Sequence, residues 1–261
     1  MTGSTDTVAA LMVAVSSYLM ILSAFSYNDA YDVEHGKITG FFERTRNFSK
    51  KQLITLTYLL WIIAFLIAAS TTNWNAVVIV SASLTLAFIY SHPMFNFKEK
   101  FPFKTLITAL DASTACLIGA AVGNSFSSYT LFSSAGFFVY FFILGPLGDF
   151  QDIKGDQLVG RRTFPIVLGS KKTIAIMMSI PIILIMTAGI LFLGVLPNNG
   201  LSQGIDLGVV SIFSVCIISL LLITKIKKRL DDFAWVKQSR TIMRFLHILF
   251  QLSVVMVFFR I

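Results

Sequence analysis

The stretch "TLFSSAGFFVYFFILGPLGDFQDIKGD", Thr130 to Asp156, joins an uncharged run at 130–148 to three aspartates, Asp149, Asp152 and Asp156. A helix crosses roughly 30 Å of hydrocarbon with about 20 apolar residues. The run has that length, and comparable blocks recur at 7–27, 51–71, 74–91, 105–123, 173–195, 207–224 and 241–259. Backbone polar groups must be paired inside lipid, so such blocks are helices or strands of a closed barrel. Barrel strands need only about 10 residues, which leaves helices. Composition agrees: 56% of the 261 residues are hydrophobic and 13% are charged, against roughly 25% charged in soluble domains. The expected fold is an all-α polytopic transmembrane bundle of eight spans, organised as a single domain over residues 1–261.

The net charge of +8 is distributed in a way that excludes nucleic acid as the partner. Lys37, Arg44, Arg46, Lys50 and Lys51 lie between the first two blocks, and Lys98, Lys100 and Lys104 between the third and fourth. Lys154, Arg161, Arg162, Lys171 and Lys172 lie between the fifth and sixth, and Lys225, Lys227, Lys228, Arg229, Lys237 and Arg240 between the seventh and eighth. The intervening connections, "TTNW", "GNSFSSYT" and "LPNNGLSQGID", hold no Lys or Arg. Alternately basic loops follow the positive-inside rule and predict an integral, multi-pass protein whose basic loops are cytoplasmic. Anionic lipid headgroups are the partner for that charge. An even number of spans then puts both chain ends outside, in keeping with a start, "MTGSTDTVAAL", that has no basic residue. The first apolar run is too long for a secretory signal and lacks a cleavage site. Cys116 and Cys216 fall inside apolar blocks and are expected to be inert thiols.

Two acidic clusters mark the points where a span enters a basic loop: "NDAYDVEHG" at 28–36 and "GDFQDIKGD" at 148–156. They suggest a weak repeat of span, acidic motif and basic loop, an arrangement that often places a site between halves. Residues three, four and seven apart share a helix face. Asp149, Asp152 and Asp156 obey that spacing, as do Asn28, Asp29, Asp32 and His35. A solvated helix end explains one such aspartate; two spaced clusters on the same predicted side point to a site. Carboxylate and amide oxygens suit a hard divalent ion, and Mg²⁺ shares its coordination with substrate phosphates. Lys98, Lys154 and Arg162, with Arg44 or Arg46, belong to the same cytoplasmic layer. Acids, Mg²⁺ and basic side chains together suit a diphosphate, with an attached hydrocarbon lying among the helices.

Other positions carry lesser expectations. Asp111 lies inside a span, where an ionisable residue is functional or paired. Glu43, Glu99, Asp231 and Asp232 read as loop charges. Gly119 and Gly123 have the spacing of a close helix contact. Pro181 is expected to kink the sixth span, and Gly145, Pro146 and Gly148 to loosen the fifth just before Asp149.

The residues "NDAYDVEHG" at 28–36, "YSHPMFNFKEK" at 90–100 and "GDFQDIKGDQLVGRRTFPIVLG" at 148–169 resemble the motifs of the UbiA superfamily of intramembrane prenyltransferases. The second is the most specific, matching a DxxDxxxD pattern and the segment that usually follows it. The resemblance implies a helical bundle around a cavity open to lipid, with Mg²⁺ as cofactor and an isoprenyl diphosphate and a lipophilic acceptor as substrates. It implies Asn28, Asp32, Asp152 and Asp156 as metal ligands, with Asp29 and Asp149 beside them and Tyr90 and Lys98 near the diphosphate. Metal and Lys/Arg charge would stabilise the departing pyrophosphate, and aromatic faces such as Phe88, Tyr90, Tyr140 and Phe141 would shield an allylic cation. The sequence departs from the family at Gly36, where the first motif usually ends in Asp, and in "GFFERTRNFSKK", which replaces a proline-rich basic segment. Eight spans are read rather than nine, so the expected fold is UbiA-like without the usual first helix. A prenylglycerol phosphate is the favoured acceptor. The alternatives are an aromatic or quinone-precursor acceptor, a non-catalytic membrane scaffold, and an ion-coupled carrier.

Overall fold

The computed structural model describes residues 7–34, 47–122, 126, 128–158, 160–192 and 207–259. Each of the eight expected blocks is covered by a helix among the described residues: α1 (Thr7–Glu34), α2 (Lys50–Ser70), α3 (Trp74–Ser91), α4 (Phe103–Val122), α5 (Ser128–Leu158), α6 (Phe164–Phe192), α7 (Leu207–Lys228) and α8 (Phe233–Phe259). The first seven contain segments long and apolar enough to cross a membrane. The eighth carries Arg240, Arg244 and His247 on its inner turns and is the least apolar.

Several helices outrun their apolar blocks, and in α1 and α5 the surplus is at the C-terminal end. α1 has 28 residues and α5 has 31, which at about 1.5 Å per residue exceeds the hydrocarbon thickness by ten or more ångströms. The surplus turns hold the acidic motifs, so both are displayed on continuous helix. The expected loosening of α5 does not occur: the helix runs through Pro146 to Leu158. Within a bundle, neighbouring groups and small local adjustments satisfy the carbonyl that proline leaves free. α6 likewise runs through Pro181, and its break is at Gly169, whose φ of 74° only glycine adopts readily.

The described residues form two compact units. The first comprises α1, α2, α3 and the C-terminal half of α4. Its core is made of Val13, Met20, Ala64, Ala68, Ala76, Val80, Ile118 and Ala121. Lipid tails are as apolar as leucine, so small side chains that admit close backbones are what bind helices here. Ser16 donates to the Ala64 carbonyl at 2.8 Å and Asn73 to the Ala121 carbonyl at 2.6 Å. Ser49 and Gln52 form a reciprocal cap that starts α2, and Asn73 caps α3, satisfying backbone donors that a helix start leaves free. Gly119 does not make the close contact its spacing suggested, since nothing lies within 4 Å of where its side chain would be; Gly123 lies outside the described residues.

The second unit comprises the N-terminal half of α4 with α5, α6, α7 and α8. Its core includes Phe132, Tyr140, Ile143, Leu147, Met177, Ile212, Ile223, Met243 and Phe250. Interhelical hydrogen bonds thread it: Ser133 to Gln251, Tyr140 with Ser219, and Ser211 with Ser253. Cys216 is buried and Cys116 half-buried, and both are free thiols.

Candidate functional site

The first acidic motif lies on the last two turns of α1. Asn28 Nδ2 donates to Asp32 Oδ2 at 3.1 Å across one helical turn. Lys98 reaches them from a separate part of the same unit, and the local sequence explains how. His92 precedes Pro93, and a residue before proline is pushed out of the helical region, so α3 ends at Ser91. Asn96 then adopts a φ of 45°, its amide bonded back to the His92 carbonyl at 2.7 Å. The chain turns sharply into a 3₁₀ turn, Phe97–Glu99, which delivers Lys98 Nζ 2.7 Å from Asp32 Oδ1 and 3.1 Å from Asn28 Oδ1. Ser91 adds a longer bond to Asn28 Oδ1. Lys98 is only 6% exposed, and Asp29 and Asp32 are buried as well. Beside this cluster, the rings of Tyr27, Trp61, Phe88 and His92 pack on one another, with Lys50 over the face of Tyr31 at 5.0 Å.

The second acidic motif is built separately, on the C-terminal turns of α5. Lys104 Nζ lies 2.5 Å from Asp149 Oδ1 and 3.6 Å from Asp156 Oδ2. Lys104 occupies the first turn of α4, a poor place for a cation because the helix dipole is positive there; the two carboxylates offset that cost. Gly160, with a φ of 71°, reverses the chain after α5. The Arg161 amide then bonds the Asp156 carbonyl at 2.9 Å, and its guanidinium stands 3.6 Å from Asp156 Oδ1. Asp152 is exposed on the same helix.

The expected site residues therefore divide. Asn28, Asp32 and Lys98 come together, with Asp29 buried alongside; Asp149 and Asp156 share Lys104. Tyr90 is half-buried near the end of α3, while Lys154 and Arg162 are exposed. Arg162 contributes its backbone, donating to the Glu99 carbonyl at 3.2 Å. Arg44, Arg46, His35 and Gly36 lie outside the described residues. Tyr140 and Phe141 pack on His247 in the second unit. Lys104 and Arg161 were missed by sequence reasoning. A lysine at a helix start was the available signal for the first; no pattern distinguishes Arg161 from Arg162.

The donor set fits a hard divalent ion. An amide and a carboxylate oxygen of the first motif converge on a single cationic atom, Lys98 Nζ. In the second, Asp149 Oδ2 is buried without a hydrogen-bond partner, and such an acceptor is costly unless a donor or cation meets it; Asp156 Oδ2, also without a hydrogen bond, faces Lys104 Nζ at 3.6 Å. Among the described residues no three acidic, His or Cys side chains gather closely enough to hold a metal unaided. Mg²⁺ is commonly bound by one or two carboxylates together with substrate phosphates.

Comparison with known proteins gives the family and the fold. The UbiA prenyltransferase family profile matches residues 1–249. Among solved structures, one described as digeranylgeranylglyceryl phosphate synthase superposes with a TM-score of 0.76 at 14% identity, covering 98% of this chain and 88% of its own. A UbiA homologue from Archaeoglobus fulgidus bound to GPP and Mg²⁺ gives 0.74 at 16% identity, covering 98% and 90%. The same homologue bound to Cd²⁺ gives 0.69 at 15% identity, covering 96% and 90%. No curated protein matches in sequence. With the family profile spanning nearly all of its length and both acidic motifs displayed on helix ends, the chain belongs to the UbiA prenyltransferase family.

Proposed function

We propose that the protein transfers a polyprenyl group from an isoprenyl diphosphate to a lipophilic acceptor within the membrane, and that the acceptor is a prenylglycerol phosphate. The observation that carries the transferase reading is the pair of carboxylate clusters on the ends of α1 and α5, each tied to a lysine. The acceptor reading is supported by the similarity to a digeranylgeranylglyceryl phosphate synthase. The alternately basic loops support a cytoplasmic position for both acidic motifs.

Asn28 and Asp32 in the first motif, and Asp152 and Asp156 in the second, are the residues that would hold Mg²⁺. When bound, Mg²⁺ neutralises the diphosphate and stabilises it as a leaving group. Lys98 and Lys104 add fixed positive charge where negative charge develops, a contribution that grows with exclusion of water. The allylic C–O bond breaks with its electron pair passing to the diphosphate oxygen. The acceptor's nucleophilic oxygen attacks the resulting cation and then loses its proton. Asp29 and Asp149 orient their neighbours on the same helix ends. Arg44, Arg46, Lys154 and Arg162 are assigned to the diphosphate's outer oxygens, and Tyr90 to the rim of the first motif.

Asp152→Ala is the cleanest test, because Asp152 is exposed, unlike Asp32 and Asp149, which are buried against Lys98 and Lys104. Purified variant in nanodiscs, supplied with Mg²⁺, an isoprenyl diphosphate and a prenylglycerol phosphate, should release pyrophosphate at less than about a hundredth of the wild-type rate, the scale of losing one electrostatic contact to the leaving group. Wild-type turnover by this variant would overturn the metal assignment.

A further inference from the structure

α8 carries a polar stripe at helical spacing: Lys237, Arg240, Arg244, His247 and Gln251 share one face. Its inner members are engaged with α5, His247 against Phe137 and Tyr140 and Gln251 with Ser133. Farther along the same antiparallel contact, Arg240 meets Gly148. A side chain placed on Gly148 would begin 3.0 Å from both Cζ and Nη2 of Arg240 and 3.2 Å from Nη1. Near-equal distances to three guanidinium atoms mean that the planar group lies flat on the α5 backbone, and a side chain at position 148 would push it aside by a few tenths of an ångström. Arg240 Nε is buried there without a hydrogen-bond partner, and the charges of Asp152 and Asp149 act on it.

Asp149 already has Lys104 as its counter-ion, and Asp156 has both Lys104 and Arg161. Arg240 is therefore a third cation beside three carboxylates. A divalent ion arriving at that cluster would leave surplus positive charge, which an anion must balance. A guanidinium is a fork of donors matched to phosphate oxygens.

We propose that Arg240, seated on Gly148, is a binding residue for a phosphate-class anion at the second acidic motif. The proposal rests on the prenyltransferase reading. The phosphate belongs either to the donor's diphosphate or to the acceptor's head group.

The full-length wild type, Arg240→Gln, Arg240→Lys and Gly148→Ala are compared in nanodiscs. Titration calorimetry measures binding of inorganic pyrophosphate with Mg²⁺, and separately of a prenylglycerol phosphate and the matching phosphate-free prenylglycerol. Arg240→Gln should weaken one phosphate ligand by about tenfold or more, the worth of one hydrogen-bonded charge. It should leave the phosphate-free lipid unchanged. Arg240→Lys keeps the charge without the fork and should lose less, and Gly148→Ala, which displaces the guanidinium, should fall between them. Loss of pyrophosphate binding assigns the anion to the donor; loss confined to the prenylglycerol phosphate assigns it to the acceptor. Should Arg240→Gln fail to fold, Arg240→Lys and Gly148→Ala decide. Binding of both phosphate ligands within twofold of wild type in the folded variants overturns the proposal while leaving the transferase reading intact. A wild type that binds neither ligand overturns both.

Discussion

Asp32 and Asp152 were read from equivalent motifs, yet their surroundings differ. Asp32 is buried against a buried lysine, whereas Asp152 is exposed. Removing one partner of a buried ion pair strands the other charge, at a cost of about 3–5 kcal/mol. Lys98→Gln should therefore lower the denaturation midpoint strongly, and Asp32→Asn combined with Lys98→Gln should recover much of the loss, a coupling that a double-mutant cycle in detergent measures. Asp152→Ala should stay within about 0.5 kcal/mol of wild type in the same assay. The spacing of the acids was legible because the helical period is fixed by geometry. Their counter-ions were not. Lys104 reaches Asp149 only because α4 and α5 pack together, and Arg161 reaches Asp156 only because Gly160 turns the chain back. Both are tertiary facts that one-dimensional spacing does not carry.

At the scale of the helix, Gly136, Gly145 and Gly148 of α5 mark proximity rather than weakness. Gly145 and Pro146 read as a loosening of α5, but the helix is continuous, and a side chain at Gly145 would meet Thr105 Cγ2 at 2.9 Å. Gly136 is tighter still, its side-chain position overlapping the Phe250 ring of α8. Gly136→Ala should thus destabilise the second unit by about 1–3 kcal/mol, as overpacking does, and Phe250→Leu in the same chain should restore part of it. Thermal unfolding followed by tryptophan fluorescence or by loss of soluble protein reads both. A variant Gly136→Ala as stable as wild type would mean that α5 and α8 are farther apart than described. Helix existence was readable from apolar length alone. Helix ends were not, because α1 and α5 continue into polar sequence where capping and packing, rather than hydropathy, decide where they stop.

For the whole molecule, the membrane class followed from composition, and the order of motifs carried the family. The division into two units did not, since sequence blocks of similar hydropathy give no sign of which helices exclude lipid together. Orientation has its own test. In a background with Cys116→Ala and Cys216→Ala, a thiol at Lys51 should be labelled by a membrane-impermeant reagent only from the cytoplasmic face. One at Trp74, which is exposed beside the uncharged "TTNW" connection, should be labelled only from the opposite face. The reverse result would move both acidic motifs across the membrane and overturn the proposed side.

On the proposed metal assignment, the tie between Lys98 and the Asn28–Asp32 pair would also set an order of loading. Free Mg²⁺ would have to displace the Lys98 ammonium from Asp32, whereas Mg²⁺ arriving with a diphosphate would bring oxygens to which that ammonium can transfer. Mg²⁺ alone should then barely raise the melting temperature, while Mg²⁺ with pyrophosphate should raise it in step with their joint concentration. In a cell where Mg²⁺ is abundant and prenyl donors are scarce, such a protein would wait with its Asn28–Asp32 pair already locked in register, idle until the greasy substrate carries the metal in.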